Sequence, residues 1–395
     1  MSERARLAFV SLFDARDPNA YSGAPHAMHR ELSKHFDVLD WFPLNPIEEW
    51  AFVPARLLYK FAGAHYEPMR EPSFLHGVAR ILEARAKQER PDLIFAPSSV
   101  ATSCFEGETP VFWAADLCFG SYLETYVRKP ARRFVQTGHV QESQSVMRAR
   151  RINFPTHWAA EGAIARHGAS RSKIDVIPWG ANLPFAVPRD MVTRAIETRS
   201  AKQCEIVFIG RDWYRKGGDL VLEVVRILNR EGLPTKLTII GCVPPGSHDS
   251  ALVYPFLDKS RPDHWAILKE LMLRAHFFLM PSRAEAFGHV FCEASAFGVP
   301  SLGSRTGGIP DVIQDGLTGF ATPQSASAES IAELIMRTFN DRPRYRRMAL
   351  AARDDYENRL NWEKFGEKLS VSLYSAIGGS AQSQSEHRIL SAGRS

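Results

Sequence analysis

The sequence predicts an α/β chain made of two doubly wound halves, each a parallel sheet with helices on both faces. Three observations carry that expectation. Short apolar runs alternate with helical patterns along most of the chain, as strands returned by crossover helices do. The alternation lapses between about residues 180 and 203, where "GANLPFAVPRD" holds two prolines and no clean period, and then restarts. The chain has 395 residues, too many for one ordinary core, so two domains are expected.

In the first half, "RLAFVSLF" (6–13) reads as a strand and "PHAMHRELSKHF" (25–36) as a helix. A strand "DVLDWF" (37–42) and a helix "FLHGVARILEARAKQER" (74–90) follow. Next come three strands, "PDLIFAPSS" (91–99), "PVFWAAD" (110–116) and "RINFPT" (151–156). Their β-branched and aromatic residues suit a pleated, buried surface. "HWAAEGAIARHG" (157–168) is helical in period, and "KIDVIPW" (173–179) is extended. The second half repeats the architecture without repeating the sequence. It offers "CEIVFIG" (204–210), a helix over 216–230, "TKLTIIG" (235–241) and "HFFLMPS" (276–282). A helix after Phe287, then "VPSLGS" (299–304) and "TGF" (318–320), complete it. The expected domains are 1–180 and 204–360 around a linker 181–203, with a helix over 361–376. The polar, small-residue stretch 377–395 reads as a disordered tail. Sheets of this kind bind ligands beyond the carboxyl ends of their strands, so the expected active site is a cleft between the halves.

Composition narrows the function. Hydrophobic residues make up 45% and charged residues 24%, as in a soluble globular protein. The net charge of +5 is mild and shared by both halves, which argues against a dedicated nucleic-acid binder. Five cysteines, never spaced C-x-x-C, fit free thiols in a reducing compartment rather than a disulfide or zinc framework. The opening "MSERARLAFVSLFDARD" has basic residues before an apolar run, yet the run stops at Asp14 without a cleavage site. No apolar run approaches the roughly 18 residues a membrane span needs. The expected location is the cytoplasm.

Several stretches carry chemistry. In "IVFIGRDWYRKGGDL" a strand ends at Gly210, a loop carries Arg211 and Lys216, and a helix starts near Gly217. Two cations and free N–H groups at a helix start make a phosphate site; a solvated basic loop is the plainer alternative. Neither a Walker loop nor G-x-G-x-x-G is present. "AYSGAPHAMHREL" places Gly23 before a helix, where backbone can approach an anion. Taken alone it reads better as a turn, with Ser22 as N-cap and Pro25 first in the helix. In "PSRAEAFGHVFCEASAFGVP", Glu285 precedes a helix start at Phe287 and Gly288, and Glu293 lies about two turns inside it. A diphosphate held by Arg211 and Lys216 would leave the carboxylates to accept hydroxyls at either end of a nucleotide sugar.

With these segments in place, the chain resembles the GT-B glycosyltransferases of the retaining, nucleotide-sugar-dependent family 4 group (glycosyl transferases group 1). The likeness rests on E-x7-E, here Glu285 and Glu293, within "PSRAEAFG" and "EASAFGVP", followed by "GGIPDVIQDGLTGF". It also takes in "FIGRDWYRKGGDLV", "FFLMPSR", "YSGAPH" and "WAAEGAIARHGASRSKIDVIPWGANL", most of residues 5 to 376. The resemblance implies two Rossmann-like domains facing across a cleft, with the helix over 361–376 crossing back to the first. It implies retaining, metal-independent transfer, with the nucleoside-diphosphate sugar as substrate and no cofactor. Glu285 would contact the donor sugar and Glu293 the ribose. Arg211 and Lys216 would neutralise the diphosphate, with the backbone of Phe287, Gly288 and Gly23 close to it. Phe256 and Lys259 are candidates for base contacts. Where relatives often carry a histidine, this chain has Asp116, expected either to face the acceptor and the reacting carbon or to cap a helix. His139 and His157 are alternative polar residues. The acceptor is expected to be a glycan or lipid-linked precursor in cell-envelope or polysaccharide biosynthesis. An epimerase or hydrolase on the same fold, or a non-catalytic nucleotide-sugar scaffold, are the other readings.

Between Arg128 and Arg151 there are seven Lys and Arg and a single Glu. The run reads as a solvated helix face, or as a peripheral contact with the inner face of a membrane. No apolar stripe accompanies the charge within it.

Overall fold

In the computed structural model the described residues are 4–44, 49–246 and 251–392 (backbone alone for 49–50 and 379–392). They form two compact units: Met1–Ile177 with Phe365–Ser395, and Pro178–Lys364.

Unit 1 is built on a sheet ordered β2-β1-β3-β4-β5-β6, parallel throughout. Its elements in chain order are β1 (Arg6–Val10), α1 (Ala24–Leu32), β2 (Asp37–Trp41), α2 (Val53–Phe61), α3 (Pro72–Glu89) and β3 (Leu93–Ala96). Then come β4 (Val111–Ala114), α4 (Phe119–Tyr126), α5 (Arg132–Arg148), β5 (Arg151–Phe154), α6 (His157–His167) and β6 (Ile174–Val176). β3 and β4 are buried along their whole length, so they carry the uninterrupted apolar runs that a central parallel strand requires. The strands are shorter than their apolar runs. β3 stops before Pro97, whose missing N–H cannot serve a ladder.

Unit 2 has the order β12-β11-β10-β7-β8-β9, again parallel. It opens with α7 (Arg189–Thr198), followed by β7 (Cys204–Ile209), α8 (Gly218–Arg230), β8 (Thr235–Ile240), β9 (Ala251–Tyr254) and α9 (Pro262–Arg274). β10 (Phe277–Met280), α10 (His289–Ala296), β11 (Ser301–Ser304), α11 (Ile309–Val312), β12 (Gly319–Thr322), α12 (Ala328–Asn340) and α13 (Arg342–Asn358) complete it. α14 (Trp362–Ala392) begins in unit 2 and belongs to unit 1 from Phe365 onward.

Two expectations need correction. The stretch 181–203, read as a linker, contains α7, whose Val192 and Ile196 are buried. Its end is fastened by Arg199, a buried guanidinium that donates to the carbonyls of Leu273, Phe297 and Gly298 and to the Tyr345 hydroxyl, at 2.7–3.1 Å. The prolines at 184 and 188 hid a helix that starts just after them. At the other end, α14 runs through Ala392, where a disordered tail was expected. Residues 380–392 hold no proline, and Ala, Gln, Glu, Arg and Leu sustain helix past the glycine pair.

His276 lies fully buried in the same corner as Arg199. Its Nδ1 accepts from the Glu205 N–H at 3.0 Å and its Nε2 donates to Ser200 O at 2.8 Å, an arrangement open only to the neutral ring. Burial pushes its pKa from 6.5 down to about 4. The unfolded chain therefore binds a proton at this site that the folded chain refuses, between about pH 6.5 and 4. Stability is lost as pH falls through that window, by at most on the order of 3 kcal/mol for this ring. Urea titrations at several pH values should show the wild-type midpoint falling on acidification, and His276→Gln should fall less steeply. Equal slopes would show that this histidine does not contribute.

Candidate functional site

In unit 2 the strand order reverses between β7 and β10, with β8 and β9 running to one side and β11 and β12 to the other. Loops leaving neighbouring strands diverge at such a point and open a crevice at their carboxyl ends. Lys216 follows β7, and Glu285 follows β10.

Glycines hold these loops together. Gly217, the N-cap of α8, has φ +77°, and a Cβ there would stand 2.2 Å from Pro281 O. Gly307, at φ +53°, passes so close to Glu285 that a Cβ would lie 1.6 Å from its carbonyl oxygen. The Gly308 N–H then donates to Ala286 O at 3.1 Å. Three segments far apart in sequence are thus set at backbone contact around Glu285.

The side chains that result are paired. Lys216 Nζ forms an ion pair with Glu285 Oε2, both side chains nearly out of solvent. Burial lowers the Lys216 pKa, and the Glu285 carboxylate opposes that shift. Eight residues on, in α10, Glu293 is 3% exposed. Its Oε1 accepts from Lys259 Nζ at 2.5 Å, and the same ammonium donates to Asn182 O at 3.1 Å. Burial raises the Glu293 pKa, against the Lys259 charge. Glu293 Oε2 is buried with no hydrogen-bond partner among the described residues. A carboxylate oxygen in that state costs free energy unless a donor reaches it.

Around this core, Gly288 takes φ +83° as the N-cap of α10. The Phe287 ring packs 6.1 Å from Trp179 and 5.2 Å from His289, so Phe287 is a packing anchor with its backbone at the helix start. Arg211 is exposed, its guanidinium 5.9 Å from the centroid of Phe256, itself 57% exposed. Lys259 therefore holds Glu293, and Phe256 lies beside Arg211.

Sequence reasoning missed His289, the first residue of α10. Its Nδ1 donates to Gly180 O at 2.9 Å, and its ring lies against both Trp179 and Trp362, 5.8 Å from each. Burial pushes its pKa down to about 4, so the ring is neutral. Only its place after Gly288 marked it in the sequence.

Gly23 and Asp116 belong to unit 1. Gly23, at φ +82°, is the N-cap of α1 and follows two more left-handed residues, Tyr21 and Ser22. The helix thus starts one residue later than a Ser22 cap would have it. Asp116 is exposed in the bend after β4, and the N-cap position of α4 is Cys118, so Asp116 is not the N-cap residue. His139 packs edge-on against Phe119 at 5.3 Å. His157 opens α6 behind the Thr156 cap, whose Oγ1 accepts from the Ala159 N–H.

Residues 192–355 match the sequence profile of the family described as Glycosyl transferases group 1. A D-inositol 3-phosphate glycosyltransferase from Nocardia farcinica is 31% identical over 255 residues, 60% of this chain and 55% of the relative. The matched region thus spans about half the length of that relative. Among solved structures, sucrose-phosphate synthase from Thermosynechococcus elongatus superposes with a TM-score of 0.65 at 17% identity, covering 95% of this chain and 100% of that one. Anabaena HepE in complex with UDP and glucose gives 0.61 at 15% identity, covering 94% and 100%. These likenesses show the fold, that of the GT-B glycosyltransferases.

The close approach at Gly307 is testable against Gly316, which also has positive φ but nothing within 4 Å of its Cβ position. Gly316→Ala carries only the backbone penalty, about 1–2 kcal/mol. Gly307→Ala should lower the urea midpoint clearly further, because the Glu285 segment must move. A loss no larger than at Gly316 would show that the contact is not tight.

Proposed function

The chain carries a glycosyl transferases group 1 domain over residues 192–355, and from that premise we propose that it transfers a sugar from a nucleoside-diphosphate sugar to a glycan or lipid-linked acceptor. The observation that carries this reading is Glu293, a buried carboxylate with one oxygen on Lys259 and the other without a hydrogen-bond partner among the described residues, beside the Lys216–Glu285 pair. Ribose hydroxyls are donors of the right kind for Oε2. A diphosphate at the start of α10 would draw Lys216 from Glu285, with exposed Arg211 as the second cation. Glu285, released, would accept hydroxyls of the transferred sugar.

In that arrangement the bond from the anomeric carbon to the diphosphate breaks with its electron pair going to the leaving phosphate. Lys216 and Arg211 stabilise the charge developing there, the contribution that usually dominates such reactions. The acceptor oxygen bonds to the anomeric carbon and its proton leaves with the diphosphate. Retention of configuration is supported by the E-x7-E resemblance. Two positioned cations support a transfer that needs no metal. Asp116 and Gly23 are assigned to the acceptor side and to donor approach on the same resemblance. A role in cell-envelope or polysaccharide assembly follows from the acceptor class proposed.

Thermal-shift measurements with UDP, GDP and ADP and their sugar conjugates, with and without Mg²⁺, are the direct check. A ligand at about 100 times its Kd adds roughly 2.7 kcal/mol to the folded state. A shift with one nucleotide, undiminished without metal, is expected; none with any would sink the donor site. Glu293→Gln should weaken nucleotide binding, whereas Glu285→Gln should lower turnover far more than affinity. Undiminished turnover in Glu285→Gln would remove that residue from the mechanism.

A further inference from the structure

α2 is nine residues long, and none of them is buried. Val53, Leu57, Leu58 and Phe61 are 42%, 47%, 66% and 89% exposed. At about 100° per residue, Val53, Leu57 and Phe61 form one stripe with Leu58 beside it, and Arg56 and Lys60 run along its flank. The helix is anchored by its other side. Tyr59 stacks on Tyr66 at 4.5 Å, and Phe52, just before the helix, meets Phe74 at 6.2 Å. An anchored helix presenting a contiguous apolar stripe to solvent marks an interaction surface.

The charge beside it indicates the occupant. His65, four residues beyond α2, is joined by backbone hydrogen bonds of 2.9 Å to Lys129 and Ala131, which brings the start of the basic run to the end of α2. The run divides there. Arg133 is held by Glu71, Arg148 by Gly107 O, and Arg151 by Asp175. Arg128, Lys129 and Arg132 are exposed and, like Lys60, form no ion pair among the described residues. The neighbouring acids are already engaged: Glu67 by His65 and Tyr122, Glu71 by Arg133, and Glu124 by Arg166. No described helix is long and apolar enough to cross a membrane.

We infer that α2 lays the face of Val53, Leu57, Leu58 and Phe61 into the surface of a bilayer with anionic headgroups, with Lys60, Arg128, Lys129 and Arg132 against the phosphates. Apolar side chains supply insertion, and the cations supply attraction to anionic lipid. The apolar stripe missing from the basic run is thus furnished by a helix about seventy residues earlier in the chain. The inference is independent of the transfer reading, because vesicle binding and nucleotide binding are separate measurements.

The test is co-sedimentation of the full chain with vesicles of phosphatidylcholine alone or with phosphatidylglycerol added. Binding should need phosphatidylglycerol and weaken as salt rises. Leu58→Ser with Phe61→Ser should weaken it at least about tenfold, and Lys129→Ala with Arg132→Ala by roughly fivefold per cation. Both double variants should keep the wild-type circular dichroism spectrum and melting temperature, which separates lost docking from lost folding. Binding no better with phosphatidylglycerol than without it would overturn the inference, as would unchanged binding by the Leu58 and Phe61 variant. A dimer seen by light scattering and dissolved by that variant would assign the face to a second copy of the chain and overturn it equally.

Discussion

The site in unit 2 depends on backbone-to-backbone contact that a side chain would prevent. Gly217 against Pro281 and Gly307 against Glu285 bring the segments after β7, β10 and β11 closer than any Cβ permits. Parallel strands send all their exits to one edge of the sheet, but that alone leaves the exits as separate loops. The glycines turn them into one surface. The backbone of Glu285 is then fixed, its carbonyl enclosed by Gly307, while its side chain faces Lys216.

Burying two carboxylates in one small region is unfavourable unless each has a cation. The chain supplies one lysine per acid, from different loops: Lys216 from the segment before α8 and Lys259 from the segment before α9. The two pairs are not equivalent. Lys259 is also held by Asn182 O, which fixes it on Glu293, whereas Lys216 pairs with Glu285 and with no other carboxylate among the described residues. The pair at Glu293 therefore has the features of a fixture and that at Glu285 those of an exchangeable contact. Arg211, lying over Phe256 at the surface, is the cation with the most room to move.

Much of the architecture was legible because parallel strands are buried on both faces and announce themselves as apolar runs. Phe277, Phe278, Leu279 and Met280 are an example, all buried. Three of the elements that escaped lack that contrast. β9 is a half-exposed edge strand, α2 has no buried residue, and α7 hides behind two prolines. At the site, the spacing of Glu285 and Glu293 could be read because both belong to one local stretch. Their lysine partners stand 69 and 34 residues away, and nothing local records such pairings. His289 was passed over for a related reason. A histidine becomes informative through the two tryptophans around it, and Trp179 and Trp362 meet only in three dimensions.

Those tryptophans have a consequence for inheritance. Trp179 and Trp362 stand next to the two ends of unit 2, yet their rings lie 6.1 Å apart with His289 against both. A unit whose ends meet is an insertion in topological terms: it can be excised, replaced or exchanged as a cassette without stretching the chain that hosts it. The matched profile, residues 192–355, falls wholly inside that cassette. Such a gene can recombine one unit while leaving the other untouched, so the two units are free to carry separate ancestries.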